Sequence, residues 1–361
     1  MRLLFLHKYG HRAASFRHRF EQYLPYLERA GFECTLSSLF DDDYLDARMT
    51  TGYRNFAAMA KGALRQLGHA ARARDYDLVI IGIELFPFLP PIVERYFNLR
   101  RIPYVFDFDD PIFHYYDLSP SLIVRTLLGA KIRTVAAGAS YVFAGSPYLV
   151  DYVRQVNPAV EYLPTVIDLD RYPTTHDFTA PSKAPFTIGW IGSLSTAPNL
   201  AIIARALERF CRRRNARVVL VGSGPVDLPG PPIEVREWSE ARETSDLLEF
   251  DVGLMPLTDD AWSRGKCGFK LVQYMASGIP VIASPVGVNC DMVEPGVNGF
   301  LASEPQQWED VLEQLANDRA LCARFGAAGR ARVQREYCVQ ALAPRFIAGV
   351  QTALRTAGKI D

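Results

Sequence analysis

The chain has 361 residues, 49% of them hydrophobic and 22% charged, with 40 basic and 40 acidic side chains. That length and composition call for two packed domains and exclude wholesale disorder. The balanced charge excludes the broad basic surface of a general nucleic-acid binder, so any polyanion contact must be local.

Leu3-Leu-Phe-Leu6 reads as a buried parallel strand, and Phe16 to Ala30 carries helical apolar spacing (Phe16, Phe20, Tyr23, Leu24, Leu27) ended by Gly31. Residues 48–74 hold no acid between Asp46 and Asp75, while Arg48, Arg54, Lys61, Arg65, Arg72 and Arg74 are interleaved with apolar residues. Two readings stand there: a basic amphipathic helix lying on anionic membrane lipid, or an ordinary helix packed on the sheet. Strands follow at Cys34-Thr-Leu, Asp77 to Gly82, Pro103 to Phe106 and Tyr141 to Phe143, separated by helix-length segments. After residue 170 a Pro/Thr-rich run, 171–185, reads as a linker. A second series then begins, with strands at Phe186 to Gly192, Arg217 to Gly222, Ile233 to Val235, Val252 to Met255 and Pro280 to Ala283. The expected organisation is α/β, with Rossmann-like doubly wound domains over 1–170 and 186–340. The final helix, 341–361, either closes the second domain or crosses back to the first.

Ligands of such sheets bind beyond the carboxyl ends of the strands, where helix N-termini present free amides. Two windows place chemistry there. Tyr104-Val-Phe-Asp107-Phe-Asp109-Asp110-Pro111 ends a strand in three carboxylates, of which Asp107 and Asp109 share a face; Asp110 is either functional or the N-cap ahead of Pro111. In the second, Arg264, Lys266 and Lys270 surround a predicted helix start, with Lys270 one turn beyond Lys266. Lysines there oppose the helix dipole, so the position calls for an anion such as a diphosphate.

Gln273-Tyr-Met-Ala-Ser-Gly-Ile-Pro-Val281 resembles the helix-to-strand signature of glycosyltransferase family 4. Leu163 to Tyr172, Gly192, Leu220-Val-Gly222-Ser-Gly224-Pro225 and Glu294 to Leu301 resemble further family elements in the same order, so the resemblance covers nearly the whole chain. It implies the GT-B architecture, two such domains facing across a cleft, and transfer of a sugar from a nucleoside diphosphate sugar with retained anomeric configuration. It further implies a glycan or lipid-linked acceptor and a place in polysaccharide biosynthesis. Gly192 and Ser193 then join the three cations as diphosphate contacts, while Gln273, Gly222 and Gly224 become nucleotide contacts. The loop holding Gly10, Arg12 and Arg17 faces the acceptor or its phosphate. Asp109 matches a histidine that the family uses near the transferred sugar, so Asp109, with Asp107 and Lys270, is the catalytic candidate. The chain departs from the family where two glutamates are replaced by Gly265 and Gln273, and where an arginine and a lysine are replaced by Ser193 and Pro198.

No cofactor or metal is expected: the six cysteines are scattered without CxxC spacing, and Asp107-Phe-Asp109 reads as a chance triplet. Scattered cysteines and the lack of a signal or membrane-spanning run lead to an expected cytoplasmic location, peripheral on the inner membrane face if residues 48–74 meet lipid. Other readings are a GT-B epimerase or hydrolase that needs no acceptor, and a catalytically silent nucleotide-binding subunit. A dehydrogenase is least favoured because no complete GxGxxG follows a strand.

Overall fold

The computed structural model describes residues 1–45, 55–179, 185–228 and 230–360. It contains two compact units: unit 1 comprises Met1–Thr165, Gly265–Cys267 and Leu342–Asp361, and unit 2 comprises Val166–Arg264 and Gly268–Ala341.

In unit 1, strands β1 (Arg2–Tyr9), β2 (Glu33–Phe40), β3 (Leu78–Gly82), β4 (Tyr104–Phe108), β5 (Tyr141–Ala144) and β6 (Val160–Tyr162) form a six-stranded sheet in the order β2-β1-β3-β4-β5-β6. Every pairing is parallel. Leu3 to Leu6, Leu78 to Ile81 and Tyr104 to Phe106 are fully buried, as strands covered on both faces must be. The order reverses between β1 and β3, so the crevice of this unit lies beyond Tyr9 and Gly82.

Unit 2 repeats the theme with β7 (Phe186–Ile191), β8 (Ala216–Val221), β9 (Ile233–Arg236), β10 (Val252–Met255), β11 (Val281–Ala283) and β12 (Gly299–Leu301), ordered β12-β11-β10-β7-β8-β9. Counted within the unit this is the Rossmann arrangement, with its reversal between β7 and β10. Gly189 of β7 is required by packing, because a Cβ there would stand 1.9 Å from the Phe250 ring.

The structure adds to or departs from the sequence expectations at three places. The single helix expected over Phe16 to Ala30 is broken into Ala14–Arg19, a 3₁₀ turn at Glu21–Tyr23 and Leu24–Arg29. Pro25 has no N–H to continue the first helix and instead sits in the first turn of the second. The three-residue strands β6 and β12 were too short to show a hydrophobic pattern. Finally, Asp110 caps no helix: the next one, His114–Asp117, starts after Phe113.

Arg48 and Arg54 lie outside the described residues. The described part of that stretch contains the helix Phe56–Ala71, capped by the Asn55 side chain and packed against β2 through Gly62, where a Cβ would meet the Leu39 carbonyl at 1.9 Å. Leu342–Asp361 is part of unit 1, where Phe346 stacks on Tyr23 and Phe143, and Arg345 pairs with Glu161.

Candidate active site

In unit 2, five predicted residues meet where β7 and β8 end. The chain leaves β7 at Gly192 and Ser193, and leaves β8 through Gly222 and Gly224, at φ +76° and +64°. The two loops touch backbone to backbone, since a Cβ on Gly222 would stand 2.3 Å from the Gly192 carbonyl oxygen. Only glycine fits both that space and the left-handed backbone. Lys270, in the first turn of the helix Phe269–Ala276, donates to Thr196 Oγ1 at 3.1 Å and lies 4.6 Å above the Trp190 ring. Thr196 in turn accepts from the Ser193 amide at 3.2 Å. Gly192 leaves room for the lysine stem, which would be 2.7 Å from a Cβ there. The ammonium thus stands beside a helix N-terminus and two glycine loops, an arrangement suited to an anion. A cavity of about 260 Å³, lined by residues including Leu194, Pro198, Ser223, Pro225 and Leu228, opens next to these loops.

Gln273, one turn further along the same helix, is buried and hydrogen-bonded to Tyr172. The Tyr172 hydroxyl donates to Glu243 at 2.7 Å, and Trp238 Nε1 donates to the other Glu243 oxygen at 2.8 Å. Burial and that carboxylate push the Tyr172 hydroxyl well above its ordinary pKa. Arg264 forms a two-pronged pair with Asp259 at 2.6 and 3.1 Å.

Lys266 does not share a helix face with Lys270. Gly268 turns the chain at φ +72° and the helix starts only at Phe269. Lys266 belongs to unit 1, where its ammonium reaches Asp110 Oδ1 at 3.3 Å, so a protein carboxylate already answers its charge. Gly265 is fixed beside it: Ser146 donates to the Gly265 carbonyl at 3.0 Å, and a Cβ would meet Pro111 at 2.6 Å. A glutamate at 265 would not fit this backbone.

The other carboxylates of unit 1 differ in their surroundings. Asp107 forms a buried two-pronged pair with Arg19, at 3.0 and 2.6 Å, while Arg19 also donates to the Leu163 carbonyl at 2.6 Å. Such a pair ties the helix Ala14–Arg19 to β4. Asp109 accepts from the Thr165 hydroxyl at 3.0 Å and lies 4.0 Å from Cys267 Sγ. Burial, reinforced by the Asp110 carboxylate, raises Asp109 to about 6, and burial pushes the Cys267 thiol up to about 12. Arg17 is turned onto its own loop, donating to the His11 and Arg12 carbonyls at 2.9 Å each. Arg12 is exposed, with its amide on Asp42, and the same aspartate faces Gly10, where a Cβ would be 2.5 Å from Asp42 Oδ1.

One group escaped the sequence reading. Ile83 follows β3 at φ +69°, a strained position for a β-branched residue, and places Glu84 in the crevice of this sheet. Glu84 is buried between Lys8 at 3.1 Å and Lys131 at 2.8 Å, and accepts from the Tyr116 hydroxyl. Burial alone would raise it, but the two lysines hold it below the usual carboxylate range. The available signal was a glutamate just past the apolar strand ending at Gly82. Among the described residues, no group of three or more His, Cys, Asp or Glu could hold a metal ion.

Residues 185–318 match the family model "Glycosyl transferases group 1". A GDP-mannose-dependent monoacylated alpha-(1-6)-phosphatidylinositol monomannoside mannosyltransferase of Corynebacterium glutamicum is 25% identical over 221 residues, 53% of this chain and 55% of that protein. The chain thus matches about half the length of that curated relative. Similar solved structures include sucrose-phosphate synthase of Thermosynechococcus elongatus, with TM-score 0.72 and 15% identity over 98% of this chain and 100% of that one. Anabaena HepE in complex with UDP has TM-score 0.70 and 18% identity over the same shares. The group 1 domain match over residues 185–318 thus lies on a GT-B fold that the chain shares with these solved structures along nearly its whole length.

Proposed function

We propose that the protein transfers a sugar from a nucleoside diphosphate sugar to a glycan or lipid-linked acceptor, with retention of configuration and without a metal cofactor. The observation that carries this reading is Lys270, held by Thr196 and Trp190 beside the touching Gly192 and Gly222 loops. A diphosphate seated there would meet an ammonium, helix-start amides and the positive end of a dipole, so its departure needs no further cation. The donor is assigned to unit 2 and the acceptor to unit 1. Asp109 is assigned to the transferred sugar, where a carboxylate stabilises oxocarbenium-like charge or holds a hydroxyl. The names of similar proteins support the donor class: HepE structures contain UDP or UDP-glucose, and the Corynebacterium relative is GDP-mannose-dependent.

The test is a thermal-shift screen against UDP, GDP and their sugars, followed by titration of Lys270→Ala. A stabilising nucleoside diphosphate is expected, with affinity reduced about tenfold or more in the variant, equivalent to ~1.4 kcal/mol or more. Unchanged affinity in Lys270→Ala would remove the assignment. Turnover is expected to persist in EDTA.

A second reading, a nucleotide-binding subunit without turnover, is favoured by Gly265, whose contact with Pro111 leaves no room for the family glutamate. Nucleotide binding with no sugar transfer across a panel of donors and acceptors would select it.

A further inference from the structure

In unit 1 the helix Leu122–Leu128 buries only Leu128 and turns Leu122, Ile123 and Leu127 outward, 68%, 70% and 70% exposed. Phe88 and Ile92 are 60% and 68% exposed. Phe88 connects to the first group through Tyr116. Phe88 lies edge-on to Tyr116 at 5.5 Å and its amide donates to the Tyr116 hydroxyl at 3.2 Å. Tyr116 sits on the helix His114–Asp117, which packs against Leu122–Leu128, and Leu118 between the two helices is exposed as well. Soluble chains scatter such residues singly, whereas a contiguous patch marks an interaction surface.

The exposed charge on the helices that flank the patch is predominantly basic. Over residues 85–106 and 114–139 the exposed charged side chains are Arg95, Arg100, Arg101, Arg125 and Arg133. The carboxylates of these segments are Glu94, which is buried, and Asp117, which is paired with His114. A second copy docked face to face would set these arginines against one another with only Asp117, 36% exposed and already paired with His114, to answer them. Anionic phospholipid answers both features, since phosphates meet the arginines and acyl chains receive the leucines. Among the described residues no helix is long and apolar enough to cross a membrane, so the contact is interfacial.

We propose that this surface, centred on Leu122, Ile123 and Leu127 with Phe88 and Ile92, seats the protein on an anionic membrane. The proposal rests on the reading that the acceptor is lipid-linked. It places the contact on the helix Leu122–Leu128 rather than on the basic stretch at 48–74 that the sequence suggested, and gives the membrane a surface on the unit assigned to the acceptor.

The experiment is co-sedimentation of the full chain with phosphatidylcholine vesicles, with or without roughly 30% phosphatidylglycerol, at low and high salt. Compared are the wild type, a combined Leu122→Ser/Ile123→Ser/Leu127→Ser variant, Arg125→Glu, and a control Phe56→Ser/Leu64→Ser/Leu67→Ser on the helix Phe56–Ala71. Salt-sensitive binding to the anionic vesicles is expected, weakened about tenfold or more in the triple variant and in Arg125→Glu, and retained in the control. Absent wild-type binding, undiminished binding in the triple variant, or loss confined to the control overturns the proposal. So does a wild-type dimer by light scattering that the triple variant converts to monomer. Nucleoside diphosphate thermal shifts on the same proteins keep the two readings apart. A triple variant that still responds to nucleotide is folded, and a wild type that responds to none fails the transferase reading whatever the vesicles show.

Discussion

Asp109 joins burial to an assigned role in the reaction. Its carboxyl is raised to about 6 by burial and by Asp110, so transfer is expected to fall as pH drops through about 6 and the group protonates. Asp109→Asn should remove that acid limb and lower kcat about tenfold or more, read from a pH–rate profile. The effect on stability runs the other way. A carboxyl with a raised folded pKa stabilises the fold below the unfolded value near 4, and that contribution is lost as pH rises through about 6. At pH 7.5 the buried charge therefore costs about 3 kcal/mol. Asp109→Asn, which keeps an oxygen to accept from Thr165, should melt higher than wild type at pH 7.5, with the difference fading near pH 4. Asp107 has a different task, since its carboxylate is matched by Arg19 in a buried pair. Arg19→Met strands that charge and should cost ~3–5 kcal/mol by denaturant melting.

At the scale of elements, the proposed donor half-site is a junction of two strand ends and one helix start. Its geometry depends on loops that only glycine permits. Gly222→Ala puts a Cβ 2.3 Å from the Gly192 carbonyl and forces a methyl onto a left-handed backbone. It should lower stability by ~2 kcal/mol or more and weaken nucleotide binding, measured by calorimetry. In unit 1 the strained Ile83 does comparable positioning by turning Glu84 into place between Lys8 and Lys131.

At the scale of the molecule, unit 1 is discontinuous in sequence. Its last segment supplies Phe346 to the Tyr23 and Phe143 rings and Arg345 to Glu161. Ending the chain after Ala341 should expose those rings and lower the melting temperature of unit 1, while hydrogen exchange in the β7–β12 sheet stays close to wild type.

The two α/β units, most strand positions and the Gly192, Gly222 and Lys270 cluster were legible in the sequence. Apolar runs bounded by glycines report burial and turning locally, and those are short-range properties of a chain. The chain alone could not apportion the charges. Lys266 and Lys270 are four residues apart, yet one pairs with Asp110 and the other rests on Trp190, because Gly268 turns the chain between them. Arg17 is the candidate that the sequence offers, yet Arg19 is the one that meets Asp107, 88 residues away. Glu84 gained its two lysines from β1 and from the helix Lys131–Gly138. Each of these pairings joins groups distant along the chain. Their electrostatic partners are therefore set by the order of strands in a sheet, which tertiary structure alone decides.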